Sequence, residues 1–153
     1  MRPREDTFNP TSQVIRTTLA EPMADWDATV RHAFLEGCVQ QGVRSELSSE
    51  ALARGANSPD AERELRAAAE DGARRAALAW LTIETCLEQY GELAALALER
   101  CIEEASLQVR RSSMAPGSTL RVTGATRTRD ECASAIIDRG RARLQRFWEA
   151  SAA

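Results

Sequence analysis

From Leu65 onward an apolar or small residue recurs every three or four positions: Leu65, Ala69, Gly72, Ala76, Trp80, Ile83, Leu87, Tyr90, Ala94, Leu98, Cys101 and Ala105. This spacing matches the 3.6-residue turn of an α-helix, and nothing in the run alternates as a strand would. Ser58-Pro59-Asp60 marks its start. The serine can accept from a free amide, proline at the first helical position loses no needed donor, and aspartate faces the positive end of the helix dipole. The pattern predicts one very long central helix over about 59–110.

Two flanking helices are predicted, at about 25–54 and 128–150. In the first, Asp25 caps, Trp26, Val30, Phe34 and Cys38 recur at four-residue spacing, and Leu35, Val39, Val43 and Leu47 form an adjacent row. Two neighbouring rows make a wide apolar face. Gly55 suits the C-terminal cap, with Ser48-Ser49 as an earlier stop. In the second, Thr128-Arg129-Asp130-Glu131 reads as a capping box, followed by Cys132, Ile136, Gly140, Leu144 and Phe147 on one face and Trp148 beside it. Residues 1–24 form an N-terminal arm, partly disordered, with a short helix expected after Asn9-Pro10 and ended by Pro22. Residues 112–118 read as a loop around Pro116 and Gly117, and residues 120–123 as briefly extended. The predicted fold class is all-α: a helical bundle built on the central helix, in a single domain over 25–150.

Length constrains this picture. A helix over 59–110 would be roughly 78 Å long, whereas a compact domain of this size is only about 40 Å across. Either the helix breaks, at Gly72 or Gly91, or the protein is elongated. The elongated form is two helices thick and leaves apolar residues at 76–81 and 93–98 uncovered, which a second copy would cover; a homodimer is expected on that ground. With a break, a four-helix bundle closes its own core. Gly72 and Gly140 also lie on apolar faces, where a missing side chain permits close helix approach.

Composition supports helix. Alanine, the best helix former, supplies 27 of 153 residues, and aromatics only 5%. All 20 basic residues are Arg, which with abundant Ala points to a GC-rich, bacterial source. The net charge of −3 gives no overall field to draw in nucleic acid, and no nucleic-acid motif is present, so such binding is not expected. No two of Cys38, Cys86, Cys101 and Cys132 are closer than 15 residues, so CxxC metal or redox spacing is absent. On one helix Cys86 and Cys101 would stand about 22 Å apart, too far for a bridge. Buried, reduced thiols in a cytoplasmic protein are expected. No apolar stretch approaches the roughly 20 residues that span a bilayer, and no apolar run follows the charged first residues.

Charge is unevenly placed. Glu84, Glu88, Glu92, Glu99, Glu103 and Glu104 stand against Arg100 alone, whereas the stretch from Arg110 to Glu149 holds nine Arg and four acids. Like charges four residues apart repel on a helix, so Glu84, Glu88 and Glu92 form an acidic rail that Arg139, Arg143 and Arg146 would relieve.

The sequence carries no recognisable catalytic residue, cofactor site or metal site. The single histidine, His32, cannot supply the paired ligands of a bundle di-iron site, and no nucleophile turn or Gly-rich phosphate loop accompanies it. The reading is a non-catalytic interaction protein (adaptor, chaperone or assembly factor, or scaffold) working through an apolar groove or a dimer face on a protein partner. Trp26, Phe34, Phe147 and Trp148 are its candidate partner-binding anchors, as large aromatics outside the Ala-rich centre. Trp80 and Tyr90 fall on the core stripe, and a pocket between helices there is the less economical reading. In texture, long Ala-rich amphipathic helices with few aromatics, the chain resembles phasins, the coat proteins of storage-polymer granules. That resemblance carries no motif and no residue; it implies helices lying with apolar faces on a hydrophobic surface. A small-ligand binder or enzyme is the third reading.

Overall fold

The computed structural model describes residues 23–114 and 128–152, and among them every regular element is a helix. Helix α1 covers residues 23–54, with Ala33–Gln41 wound as a π-helix between α-helical Met23–His32 and Gly42–Arg54. Helices α2 (Pro59–Tyr90), α3 (Glu92–Met114) and α4 (Arg129–Ala152) complete a four-helix bundle, the predicted all-α architecture. The predicted short helix after Asn9, the residues from 115 to 118 of the predicted loop and the segment 120–123 lie outside the described residues.

The helix starts are set by local chemistry. Ser58 Oγ accepts from the Ala61 amide at 3.1 Å, Pro59 occupies the first turn, and Asp60 and Glu62 face the positive end of α2. At α4, Thr128 Oγ1 accepts from the Glu131 amide at 3.2 Å and donates to the Glu131 carboxylate at 3.1 Å. Helix α1 starts at Met23, two residues before the predicted cap, and runs through Ser48-Ser49 to Gly55, whose φ of 98° suits a residue without a Cβ. Helix α3 continues through Ser112 and Ser113, which the sequence places in a loop.

The central helix is not continuous over 59–110. It breaks at Gly91, at φ 54° and ψ −127°, a conformation that glycine alone adopts readily. The Gly91 amide donates to the Leu87 carbonyl at 3.0 Å, and its carbonyl accepts from the Ala95 amide at 3.1 Å. One residue thus closes α2 and opens α3. Gly72, the other candidate break, stays helical and lies against α1: a Cβ there would stand 2.8 Å from the Gln41 carbonyl and 3.1 Å from Ser45 Cβ. The fold-back divides the rod into segments of roughly 48 and 35 Å, so the elongated two-layer form is not adopted. Cys86 and Cys101 consequently sit on different helices, which removes the one-helix argument against their bridging; no disulfide joins any of the four cysteines, and all four are buried.

The four helices alternate in direction. Helix α2 runs back along α1, with Gly37 against Ala79 and Gln41 against Gly72. Helix α3 runs with α1, since Asp27 meets Arg100 at 3.1 Å and Arg31 meets Glu104 at 2.6 Å. Helix α4 runs back along α3 and α1, with Arg141 donating to Ser106 at 2.8 Å and Ile136 packed beside Gly42. Helix α1 therefore touches all three others, and Phe34, fully buried on it, sits under Gly140 of α4. A Cβ at Gly140 would come within 2.9 Å of the Phe34 ring, the close approach expected of that glycine. The buried residues form one cluster, and among the described residues none of them is polar or charged.

The π segment changes which α1 residues point inward. Trp26, Val30, Phe34 and Cys38 are buried at four-residue steps, but the next buried residue is Val43, five further on. A π turn accommodates one extra residue. Val43 comes from the second predicted row, whose other members, Leu35, Val39 and Leu47, are only partly buried.

Candidate interaction surface

The four aromatic anchors proposed from sequence divide into two pairs. Trp26 is 5% exposed and stacks on Tyr90, with ring centroids 5.8 Å apart; Phe34 is 0% exposed and meets Trp80 edge-on at 6.0 Å. Both are thus buried in this fold rather than presented to a partner. Phe147 and Trp148 are partly buried and pack edge to face at 5.3 Å near the end of α4. Trp80 and Tyr90 both join the core.

Trp148 stands at one end of an open groove between α3 and α4. Ile102 and Leu144 form its apolar floor, Leu107 and Trp148 its apolar edges. The groove opens because its two helices present long side chains to each other along this line. Its rim is charged, and the signs are separated. Glu99, Glu103 and Glu149 lie toward the Trp148 end, while Arg110 and Arg141 lie toward the other. Arg141 is held there by Ser106 at 2.8 Å and Asp138 at 3.2 Å, and Gln145 bonds Glu149 at 3.0 Å. The sequence singles out Trp148 but not Ile102, Leu107 or Leu144 as its neighbours, because pairing α3 with α4 in this register requires the Gly91 turn.

Among the described residues the exposed large apolar side chains are leucines. Leu78 and Leu81 on α2, and Leu93, Leu96 and Leu107 on α3, are 45–50% exposed. Four of these five fall in the two stretches, 76–81 and 93–98, that the sequence marks as apolar on more than one side. On α2 they stand beside Thr82 and Thr85, whose hydroxyls donate to the Leu78 and Leu81 carbonyls.

The proposed ion-pair rail forms in part. Arg143 bonds Glu84 at 3.1 Å and lays its guanidinium 4.1 Å from the centre of the Trp80 ring. Arg139 turns instead to Glu46 of α1, at 3.4 Å. Arg146 lines a shallow depression with Glu84, Glu88 and Phe147. Glu92 opens α3 on the exposed side.

Among the described residues the chemically capable side chains do not gather. His32 is exposed, with Nδ1 2.8 Å from Glu36 Oε2, on the edge of a polar depression shared with Arg31 and Glu104. Burial pushes the Cys86 and Cys101 thiols up to about 11 and the Cys38 thiol up as well, far from the reactive thiolate range. Among the described residues no group of three His, Cys, Asp or Glu side chains could hold a metal ion, and no helix is long and apolar enough to cross a membrane. No protein-family model matches the chain, and no curated protein and no solved structure matches it.

Proposed function

We propose that this bundle is a non-catalytic interaction protein, an adaptor, chaperone or assembly factor that holds a helical segment of a protein partner in the α3–α4 groove and, although the two-layer form that first called for a second copy is not adopted, pairs as a homodimer through leucines the bundle leaves exposed, Leu93, Leu96 and Leu107. The observation that carries the reading is the groove itself: an apolar floor of Ile102 and Leu144, an aromatic end at Trp148, and acidic and basic rims at opposite ends. An amphipathic helix with apolar residues at i, i+3 or i+4, and i+7 fits such a trough. The rim adds polarity. A partner helix carrying basic residues at the Trp148 end and acidic residues at the Arg110 end meets opposite charge at both.

Selection from a displayed library of helical peptides tests this directly. The enriched sequences should share the apolar spacing and the separated charges, and they should bind Trp148→Ala at least about tenfold more weakly, ~1.4 kcal/mol. Enriched peptides that lack the pattern, or that bind Trp148→Ala equally well, would remove the groove reading.

The five exposed leucines favour a second reading, a phasin-like coat whose helices rest on a hydrophobic surface. Dispersed oil droplets separate the two. A coat protein transfers to the droplet surface with its helices opened, whereas a groove binder stays in the aqueous phase without its peptide.

A further inference from the structure

Helix α3 carries a repeated triplet on the side turned away from the core: Glu92, Leu96 and Arg100, then Glu103, Leu107 and Arg111. All six are exposed, and the two leucines are 45% exposed despite their apolar side chains. At 100° per residue they fall in one stripe about 100° wide, centred opposite the buried Ala94, Leu98, Cys101 and Ala105. The second triplet lies eleven residues after the first, close to three whole turns, so both occupy the same face.

Read backwards, the stripe runs Arg, Leu, Glu, Arg, Leu, Glu, which is its own charge-inverted copy. Two copies of α3 laid antiparallel about a two-fold axis between Cys101 and Ile102 therefore match throughout. Glu92 faces Arg111 of the other copy, Leu96 faces Leu107, and Arg100 faces Glu103, each pair occurring twice. A parallel arrangement would set Glu against Glu and Arg against Arg. Each triplet also follows an i, i+4 ridge, and such ridges pack alongside one another at the crossing angles common between helices. Isologous contact of this kind is what a two-fold homodimer requires.

The geometry points to the outer face of α3 as a self-complementary docking surface whose occupant is a second copy of this chain, bound antiparallel. This rests on the homodimer reading above and specifies the face, the register and the direction. Arg100 also bonds Asp27 at 3.1 Å, and its planar fork of donors can serve Asp27 and the partner carboxylate together. A single helix pair covers less than the roughly 800 Å² per partner of a standard interface, so the dimer is weak and concentration-dependent. Glu103 and Leu107 also edge the α3–α4 groove, so the second copy gives that groove an additional wall.

Charge reversal in isolation and in mixture tests the surface. Sedimentation equilibrium of the full chain should show monomer passing to dimer as concentration rises from about 1 to 500 µM, the range of weak interfaces. Arg100→Glu places four carboxylates at the centre of the dimer, and Glu103→Arg places four guanidinium groups there. Each variant alone should dimerise at least about tenfold more weakly than the native chain. An equimolar mixture of the two should recover association, because each then meets its complement, and the double variant R100E/E103R should recover it alone. Recovery in the mixture also shows that neither variant is misfolded. A native chain that stays monomeric throughout overturns both this surface and the homodimer reading. A dimer indifferent to both reversals, or reversals that the mixture does not rescue, overturns the surface while leaving the homodimer standing.

Discussion

Helices α1 and α2 pair antiparallel, and so do α3 and α4, yet the first pair approaches closely through glycines and the second opens along one side into a groove. The difference lies in the size of the side chains along the two lines of contact. Between α1 and α2 glycines meet small neighbours: Gly37 lies against Ala79, and Gly72 lies against the Gln41 carbonyl and Ser45. The backbones come close enough for Ser45 Oγ to donate to the Ala69 carbonyl at 2.8 Å. Between α3 and α4 the facing residues include Leu107, Arg110, Gln145 and Trp148, which stand apart and leave a trough. Small residues close a helix pair completely and leave nothing to bind, whereas large ones fill unevenly and leave a surface.

Mutations can break this comparison in order of expected effect. Phe34 belongs to both halves, since it touches Trp80 on α2 and Gly140 on α4. Phe34→Ala should cost about 3–5 kcal/mol in urea unfolding, with both halves losing structure together. Separate transitions for the two halves would mean they do not share one core.

Gly37→Ala probes the close pair alone. The added Cβ would collide with Ala79 Cβ, so the helices must move apart at a cost of about 1–3 kcal/mol. Gln145→Leu at the open groove should stay within about 0.5 kcal/mol by the same measurement. Equal costs at the two sites would erase the distinction. Gly91→Ala comes next, at about 1–2 kcal/mol by thermal unfolding, because alanine is strained at positive φ.

A pH-dependent effect belongs to Asp71, which clasps α1 to α2 by accepting from Arg44 at 2.7 Å and Arg75 at 3.0 Å. These bonds hold its carboxyl below the usual carboxylate value. A lowered folded pKa gives stability that is full above the ordinary pKa of about 3.9 and is lost as pH falls through the lowered value. The melting temperatures of native chain and Asp71→Asn should therefore differ at neutral pH and converge on acidification. A gap that widened toward low pH would reverse the sign of this linkage.

Much of the bundle is legible in the sequence because its signals are local. Ser58-Pro59-Asp60 and Thr128 to Glu131 fix two helix starts through groups three residues apart, and the periodicity through Ala105 fixes the helical content. Gly91 is harder, since Gly72 offers the same lack of a side chain; only the packing of Gly72 on Ser45 decides which of the two turns. Trp26 and Phe34 mislead for a related reason: an aromatic at the margin of an alanine-rich stretch looks like an anchor until the fold-back of α2 and α3 encloses it. The exposed leucines were half legible, as apolar residues in excess of one stripe. Which of them a groove would gather depends on the pairing of α3 with α4, a long-range contact that periodicity does not carry.

The π segment of α1 has a mechanical consequence. The early turns of this helix are pinned to α3 by Asp27 and Arg31, and the late turns to α2 and α4 by Arg44 and Glu46. A uniform rod transmits angular phase rigidly, so an orientation that satisfied one end would dictate the other. The wider winding between Ala33 and Gln41 resets that phase midway, acting as a vernier that lets each end seat against its own neighbours. Torsional strain between the two ends of the bundle would accordingly collect there, around Cys38.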